Sequence, residues 1–210
     1  MGGVTLDYTN QDALGNAQLS LKYGNRILGT TKLIGQLTED SDGVVLLDKI
    51  DKDATLNLSG HKDLSLSAEG RKVFSGTITL DADDDTYNLG GGGGHLTLDT
   101  VLTDGPGKEK RNVLVDGQFF QAMYSEDGQD GGVIELTKAL QLTGDVTVQG
   151  FDVNRIPEAD PLYVFNHFST VTLQLSAENA LENVGSIILK DGGFIDINGT
   201  KQTLNSLLCD

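Results

Sequence analysis

Cysteine is almost absent: Cys209 stands alone, so no internal disulfide can close and no cysteine-rich metal site can form. Tryptophan is missing, and proline occurs only three times. A thin, repetitive core fits these figures better than a thick, aromatic-rich one. Basic residues are scarce as well, 15 Lys and Arg against 31 Asp and Glu, and the net charge of −16 repels phosphate backbones and anionic membrane surfaces. Nucleic acid is not an expected partner. The same charge keeps a strand-rich protein soluble and discourages lateral sticking. Long apolar runs are lacking too: no window approaches the ~18 residues of a membrane span, so direct membrane insertion of this segment is not expected. The opening Met1-Gly2-Gly3-Val4 lacks the basic and apolar regions of a signal peptide. Because the pattern is already running at Val4 and stops at Leu208-Cys209-Asp210, the chain reads as a piece of a longer protein.

What is abundant is glycine, 27 of 210 residues, nearly double the usual share of ~7%. Glycine punctuates short segments in which apolar and polar residues alternate. Ala54-Thr55-Leu56-Asn57-Leu58, Thr77-Ile78-Thr79-Leu80, His95-Leu96-Thr97-Leu98, Val146-Thr147-Val148 and Val171-Thr172-Leu173-Gln174-Leu175 are examples. Alternation sends one set of side chains inward and the other to solvent, as in a half-buried strand. Asp116-Gly117, Thr143-Gly144, Asp191-Gly192-Gly193 and Asn198-Gly199 mark the corners between them, since these residue types tolerate positive φ. No helix-period pattern of useful length occurs. The chain is expected to be all-β.

Period two alone does not separate a stacked solenoid from a sandwich or barrel. An internal similarity does. Val4 to Asn16 aligns without gaps on Val171 to Asn183, and Leu21-Lys22-Tyr23-Gly24 falls on Leu189-Lys190-Asp191-Gly192 after one inserted residue. A looser rhythm of strand, glycine corner and strand links 64–80 with 140–148. Stacked coils supply a reason for such copies, because each coil buries an apolar row against its neighbour. The expected fold is a β-solenoid of stacked coils occupying 1–210 as a single segment. Two stretches break the rhythm: the charged 105–111, and 154–161 with Pro157 and Pro161. Proline cannot donate to a sheet ladder, so these are expected to be loop excursions, where binding usually resides.

The C-terminal part is more specific. Val171-Thr172-Leu173-Gln174-Leu175 leads to Asn179-Ala180-Leu181; Ile187-Ile188-Leu189 leads to Gly192-Gly193-Phe194-Ile195-Asp196-Ile197-Asn198-Gly199 and Gln202-Thr203-Leu204. This run resembles the passenger-associated repeat of bacterial autotransporters. The likeness covers 171–207, with a related copy over 4–24; elsewhere only rhythm supports it. Glu182 departs from the family pattern, which places glycine after Ala-Leu. The resemblance implies a right-handed parallel β-helix (β-solenoid) exported across the outer membrane by type V secretion and displayed at the bacterial surface or released outside.

Chemistry-bearing motifs are few. Asp81-Ala82-Asp83-Asp84-Asp85 is the sharpest acidic cluster. Calcium takes six to eight oxygens, and Asp81, Asp83 and Asp85 are the weak candidate ligands, although the glycine and terminal Glu of an EF-hand are missing. A solvated acidic turn is the bland alternative. Ser125 to Gly132 raises the same question without a nonapeptide calcium repeat. Gly90 to Gly94 lacks the Lys and Ser or Thr of a phosphate loop; a flexible bulge or a close-packed corner accounts for it. His61, His95 and His167 have no zinc-like spacing and are expected at solvent-facing or corner positions. Asn57-Leu58-Ser59 and Asn198-Gly199-Thr200 fit the glycosylation acceptor pattern, a coincidence in a Ser/Thr/Asn-rich solenoid.

No catalytic residue and no cofactor is assigned. The expected role is an extracellular scaffold serving adhesion, aggregation or host contact, not an enzyme. Its partners would be host or bacterial surface glycans or proteins, or further copies of itself. The enzymatic rival is a tailspike-like, polysaccharide-processing β-helix, which needs carboxylates converging on adjacent coils. A self-assembling surface fibre is the third reading.

Overall fold

The computed structural model describes residues 5–7, 17–22, 25–29, 31–47, 54–107, 109–117, 132–150 and 170–210. Strands β1 (Thr5–Asp7) and β2 (Arg26–Gly29) are followed by a single helical turn, α1 (Thr31–Ile34), then by β3 (Val44–Leu47) and β4 (Thr55–Asn57). Three strands come in quick succession: β5 (Ser65–Ala68), β6 (Arg71–Phe74) and β7 (Thr77–Thr79). Next come β8 (Thr86–Leu89), β9 (His95–Leu98), β10 (Asn112–Asp116) and β11 (Val133–Leu136). The last five are β12 (Val146–Gln149), β13 (Val171–Leu175), β14 (Ile187–Lys190), β15 (Gly193–Asp196) and β16 (Leu207–Cys209). The described chain is nearly all-β.

The strands form three sheets. Sheet 1 has nine strands in the order β1-β2-β3-β5-β8-β10-β12-β14-β16; sheet 2 has five, in the order β15-β13-β11-β9-β6; sheet 3 pairs β4 with β7. Every pairing between these strands is parallel. From β5 onward the chain passes from sheet 1 to sheet 2 and back, touching a third side at β7 and at the isolated parallel pair Thr103–Gln141. This topology is compatible with a β-solenoid. At ~4.8 Å per step, the nine strands of sheet 1 span about 38 Å.

Alternation places one apolar residue of each strand on the same inward line. In sheet 1 that line runs Ile27, Val45, Leu66, Leu89, Val115, Val148, Leu189, Cys209. Its first six members are at most 1% exposed. In sheet 2 the corresponding line is Phe74, Leu98, Leu136, Leu175, also fully buried. Apart from Cys209, which is exposed, the two lines belong to one continuous apolar core. Each fully buried side chain of this size contributes roughly 1.5–3 kcal/mol.

The glycine run is a packed strap, the close-packed alternative of the two the sequence left open. Gly90 accepts a hydrogen bond from Ser65 Oγ (3.1 Å) and donates its N–H to Leu66 O (2.8 Å). Gly92 lies against the outer side of sheet 1, where an added Cβ would sit 2.4 Å from Leu46 Cδ2 and from Ser67 Oγ. Beneath it Leu28, Val44 and Leu46 form a second, small core.

The aligned copies at 4–16 and 171–183 are not equivalent turns of the chain. β1 belongs to sheet 1 and β13 to sheet 2. The 64–80 and 140–148 pair is likewise out of phase, since β7 lies in sheet 3 and β12 in sheet 1. A strand followed by a polar corner has the same pattern on any sheet, so the likeness identified the kind of element and misassigned its place.

Candidate functional site

The outward residues of sheet 2 form the most connected polar surface among the described residues. Parallel register lines up Val73, Thr97, Glu135, Gln174 and Asp196 on one row. Arg71, His95, Val133, Thr172 and Phe194 form the row beside it. Alternation aims both rows away from the core. Glu135 sits at the centre. Its Oε2 lies 2.8 Å from His95 Nε2 and accepts a 2.8 Å bond from Thr97 Oγ1; Oε1 accepts from Ser176 Oγ at 2.7 Å. Asn198 Nδ2 in turn donates to Ser176 Oγ (3.0 Å).

The His95 and Glu135 side chains are only 15% and 16% exposed. Desolvation pushes the Glu135 carboxyl up, but hydrogen bonds from Ser176, His95 and Thr97 outweigh it and hold the group below its ordinary value. The carboxylate is thus ionised and fully engaged. Ser176 bonds to Glu135 and not to His95, so no serine–histidine relay is formed. The arrangement cross-links three neighbouring strands and presents a polar, hydrogen-bonding surface.

His95 was expected at a solvent-facing or corner position and is instead half-buried in this network; His61 was expected there too and is 8% exposed. His167 lies outside the described residues. Parallel stacking is the cause for His95, because it brings Glu135 within reach on the next strand, opposite Thr97 and diagonal to His95. A separation of 40 residues leaves no local signal.

The acidic cluster is an exposed corner. Asp81 Oδ2 accepts the Gly60 N–H (2.8 Å), and Asp85 Oδ1 accepts from Thr86 Oγ1 (2.7 Å); Asp83 points to solvent. Asp83, Asp84 and Asp85 do share a depression of about 230 Å³ with Lys62 and Asp63, whereas Asp81 is turned to the preceding corner. No group of three or more metal-ligating side chains converges among the described residues.

Among its described residues, stretch 105–111 contains no strand. Glu109 closes it, taking Gly107 N–H on Oε2 (2.8 Å) and Gly105 N–H on its backbone oxygen (2.9 Å). Its last residue turns inward. Arg111 is 6% exposed, donating from Nη2 to Asp81 O (3.0 Å) and Leu80 O (3.4 Å) with its guanidinium 5.7 Å above the Tyr87 ring. Those corner carbonyls need donors, and a buried guanidinium supplies several at once. Asp104 braces the same corner, accepting Arg111 N–H at 3.0 Å and the Thr143 hydroxyl at 2.9 Å. Stretch 154–161 and residues 125–131 lie outside the described residues.

No protein-family model, no curated protein and no solved structure matches the chain.

Proposed function

We propose that the chain is a turn-by-turn stack of right-handed parallel β-solenoid from an autotransporter-like passenger, exported to the bacterial surface, where it serves as a scaffold for adhesion, aggregation or host contact. The observation that supports this reading is the parallel inward line of sheet 1, eight residues from Ile27 to Cys209. Such a frame gains stiffness because backbone groups pair between successive turns. It needs neither a cofactor nor a reaction centre, and it offers outward rows and corners to a partner.

Two measurements test the role. On intact cells producing the full-length protein, added protease or an antibody against this segment should reach it without lysis; protection until lysis overturns the surface assignment. Beads coated with the purified chain should attach to bacterial or host cells without consuming a polysaccharide. Release of reducing ends that is lost on Asp83→Asn or Asp84→Asn would instead establish the glycan-cleaving reading.

A further inference from the structure

Two depressions of about 230 Å³ and 280 Å³ adjoin on the outward side of sheet 1, with Thr86 and Leu114 lining both. Together they make one groove that crosses the strands, from the corner ahead of β5 to β14. Its floor is the row Asn88, Leu114, Thr147 and Ile188, set in register on β8, β10, β12 and β14. Its wall is the line of corners by which the chain enters the strands, and it carries Asp63, Asp83, Asp84, Asp85 and Asp145. We propose that this groove docks an extended, cationic segment of a partner protein.

Three observations carry the proposal. First, stacking collects the carboxylates from distant parts of the chain, beyond the local run at Asp81 to Asp85. Asp85 O accepts the Asn112 N–H (2.6 Å), and Asn112 Oδ1 accepts the Asp145 N–H (2.9 Å), which sets these corners one above another. Lys62 is the only cation among the described lining residues. Second, the acids are open. Asp63 and Asp83 are exposed and Asp145 is half-buried, and none of the three carboxylates has a hydrogen-bond or ion-pair partner among the described residues. Elsewhere the fold puts its acids to use: Asp81 takes the Gly60 N–H, Asp104 holds Thr143, and Glu135 ties neighbouring strands. Like charges held side by side repel until a counter-charge arrives.

Third, the charge is spread along the groove and the floor is partly apolar. No three metal-ligating side chains converge among the described residues, so the arrangement does not match a single metal ion. The Asp63 and Asp145 corners are three steps of sheet 1 apart, about 14 Å. A chain-like cation covers that length, and six extended residues span about 20 Å, the whole way from β5 to β14. Leu114 and Ile188 are half-buried and flank Thr147, offering apolar area to the stems of lysine or arginine and to apolar residues between them. An extended peptide that alternates cationic and apolar residues sends the two kinds to opposite sides. That division is the one between this wall and this floor.

The proposal adds a partner class to the scaffold reading and stands on the groove alone. Its test is a calorimetric titration of the intact chain with a capped Lys-Val-Lys-Val-Lys-Val peptide, with Glu-Val-Glu-Val-Glu-Val and spermine as the other arms. The lysine peptide should saturate with a Kd of about 10–100 µM at low salt and weaken as salt screens the groove. The glutamate peptide should not bind, and spermine, which makes no use of the apolar floor, should bind at least about tenfold more weakly. Asp83→Asn and Asp145→Asn should each cost about threefold in affinity, and the double variant about tenfold. Asp191→Asn removes the same charge at an exposed corner beyond β14 and should change nothing. Thermal melts separate the roles: Asp83→Asn should keep or raise Tm by relieving repulsion, whereas loss of a structural carboxylate would lower it. No saturation, equal affinity for the glutamate peptide, spermine as tight as the lysine peptide, or equal weakening by Asp191→Asn overturns the proposal. Any of those results with an intact surface location leaves the scaffold role standing; failure of surface location with peptide binding preserved removes the scaffold role alone.

Discussion

Over β2, β3 and β5 the outward positions of sheet 1 are Arg26, Leu28, Val44, Leu46, Ser65 and Ser67, and all but the half-buried Arg26 are buried. On sheet 2 the outward positions include His95, Thr97, Glu135 and Gln174, which bond to one another or face solvent. Both faces are built from strands of the same length, pleat and parallel pairing. The identity of the outward residue decides what each becomes. Apolar outward residues leave a surface that must be covered, and the glycine strap covers it; polar outward residues satisfy each other across the strands and stay open to a partner. One face stabilises, and the other is available for recognition.

The contrast can be broken at three depths. The inward line beneath both faces should matter most. Leu66→Ala removes a fully buried side chain at a place where strands above and below cannot collapse, and should lower stability by about 3–4 kcal/mol. Chemical denaturation measures it, and a loss under 1 kcal/mol would mean that this line is not the core.

Covering the apolar face comes next. Gly92→Ala forces a methyl group against Leu46 and Ser67 and should cost about 2 kcal/mol through overpacking. Leu46→Ala opens the space that the methyl group needs. The double variant should therefore lose clearly less than the sum of the two single losses, as coupled neighbours do. Strict additivity would show that the strap does not press on Leu46.

The polar face should contribute least, and in a pH-dependent way. Glu135 has its carboxyl lowered in the folded chain, so its stabilising effect is present above the unfolded value of ~4.3 and is lost as pH falls through the lower, folded value. Glu135→Gln should reduce stability by about 1–2 kcal/mol at pH 7, and the gap to the parent should narrow steadily below pH ~4. Taking the difference removes the background change that comes from neutralising the other carboxylates. A gap that stays constant down to pH ~2.5 would contradict the Glu135 network.

Much of this architecture was legible in the sequence, and the places where it was not are instructive. Alternating segments such as 146–148 and 171–175 are strands, and Val171, Leu173 and Leu175 point inward as the alternation requires. The repeat was read out of phase because the turns differ in length. One step of the inward line takes 18 residues, from Ile27 to Val45, and another takes 41, from Val148 to Leu189. With no constant period, a match between two segments cannot reveal which sheet either belongs to. The same irregularity hid the His95–Glu135 pair. Val44-Val45-Leu46-Leu47 held an unused signal: an unbroken apolar run marks a strand buried on both faces, which requires a cover, and Gly90–Gly94 is that cover.

The central claim is that successive turns of unequal length stack at one constant spacing. Spin labels test it most directly. With Cys209→Ser as background, one label is fixed at Leu208 and the second is moved to Ile188, Thr147, Leu114 or Asn88, which share its row in sheet 1. Distances by electron paramagnetic resonance should grow in four equal steps of ~4.8 Å, reaching about 19 Å at Asn88. Distances that follow the unequal sequence separations, or that fail to increase in this order, would contradict the account.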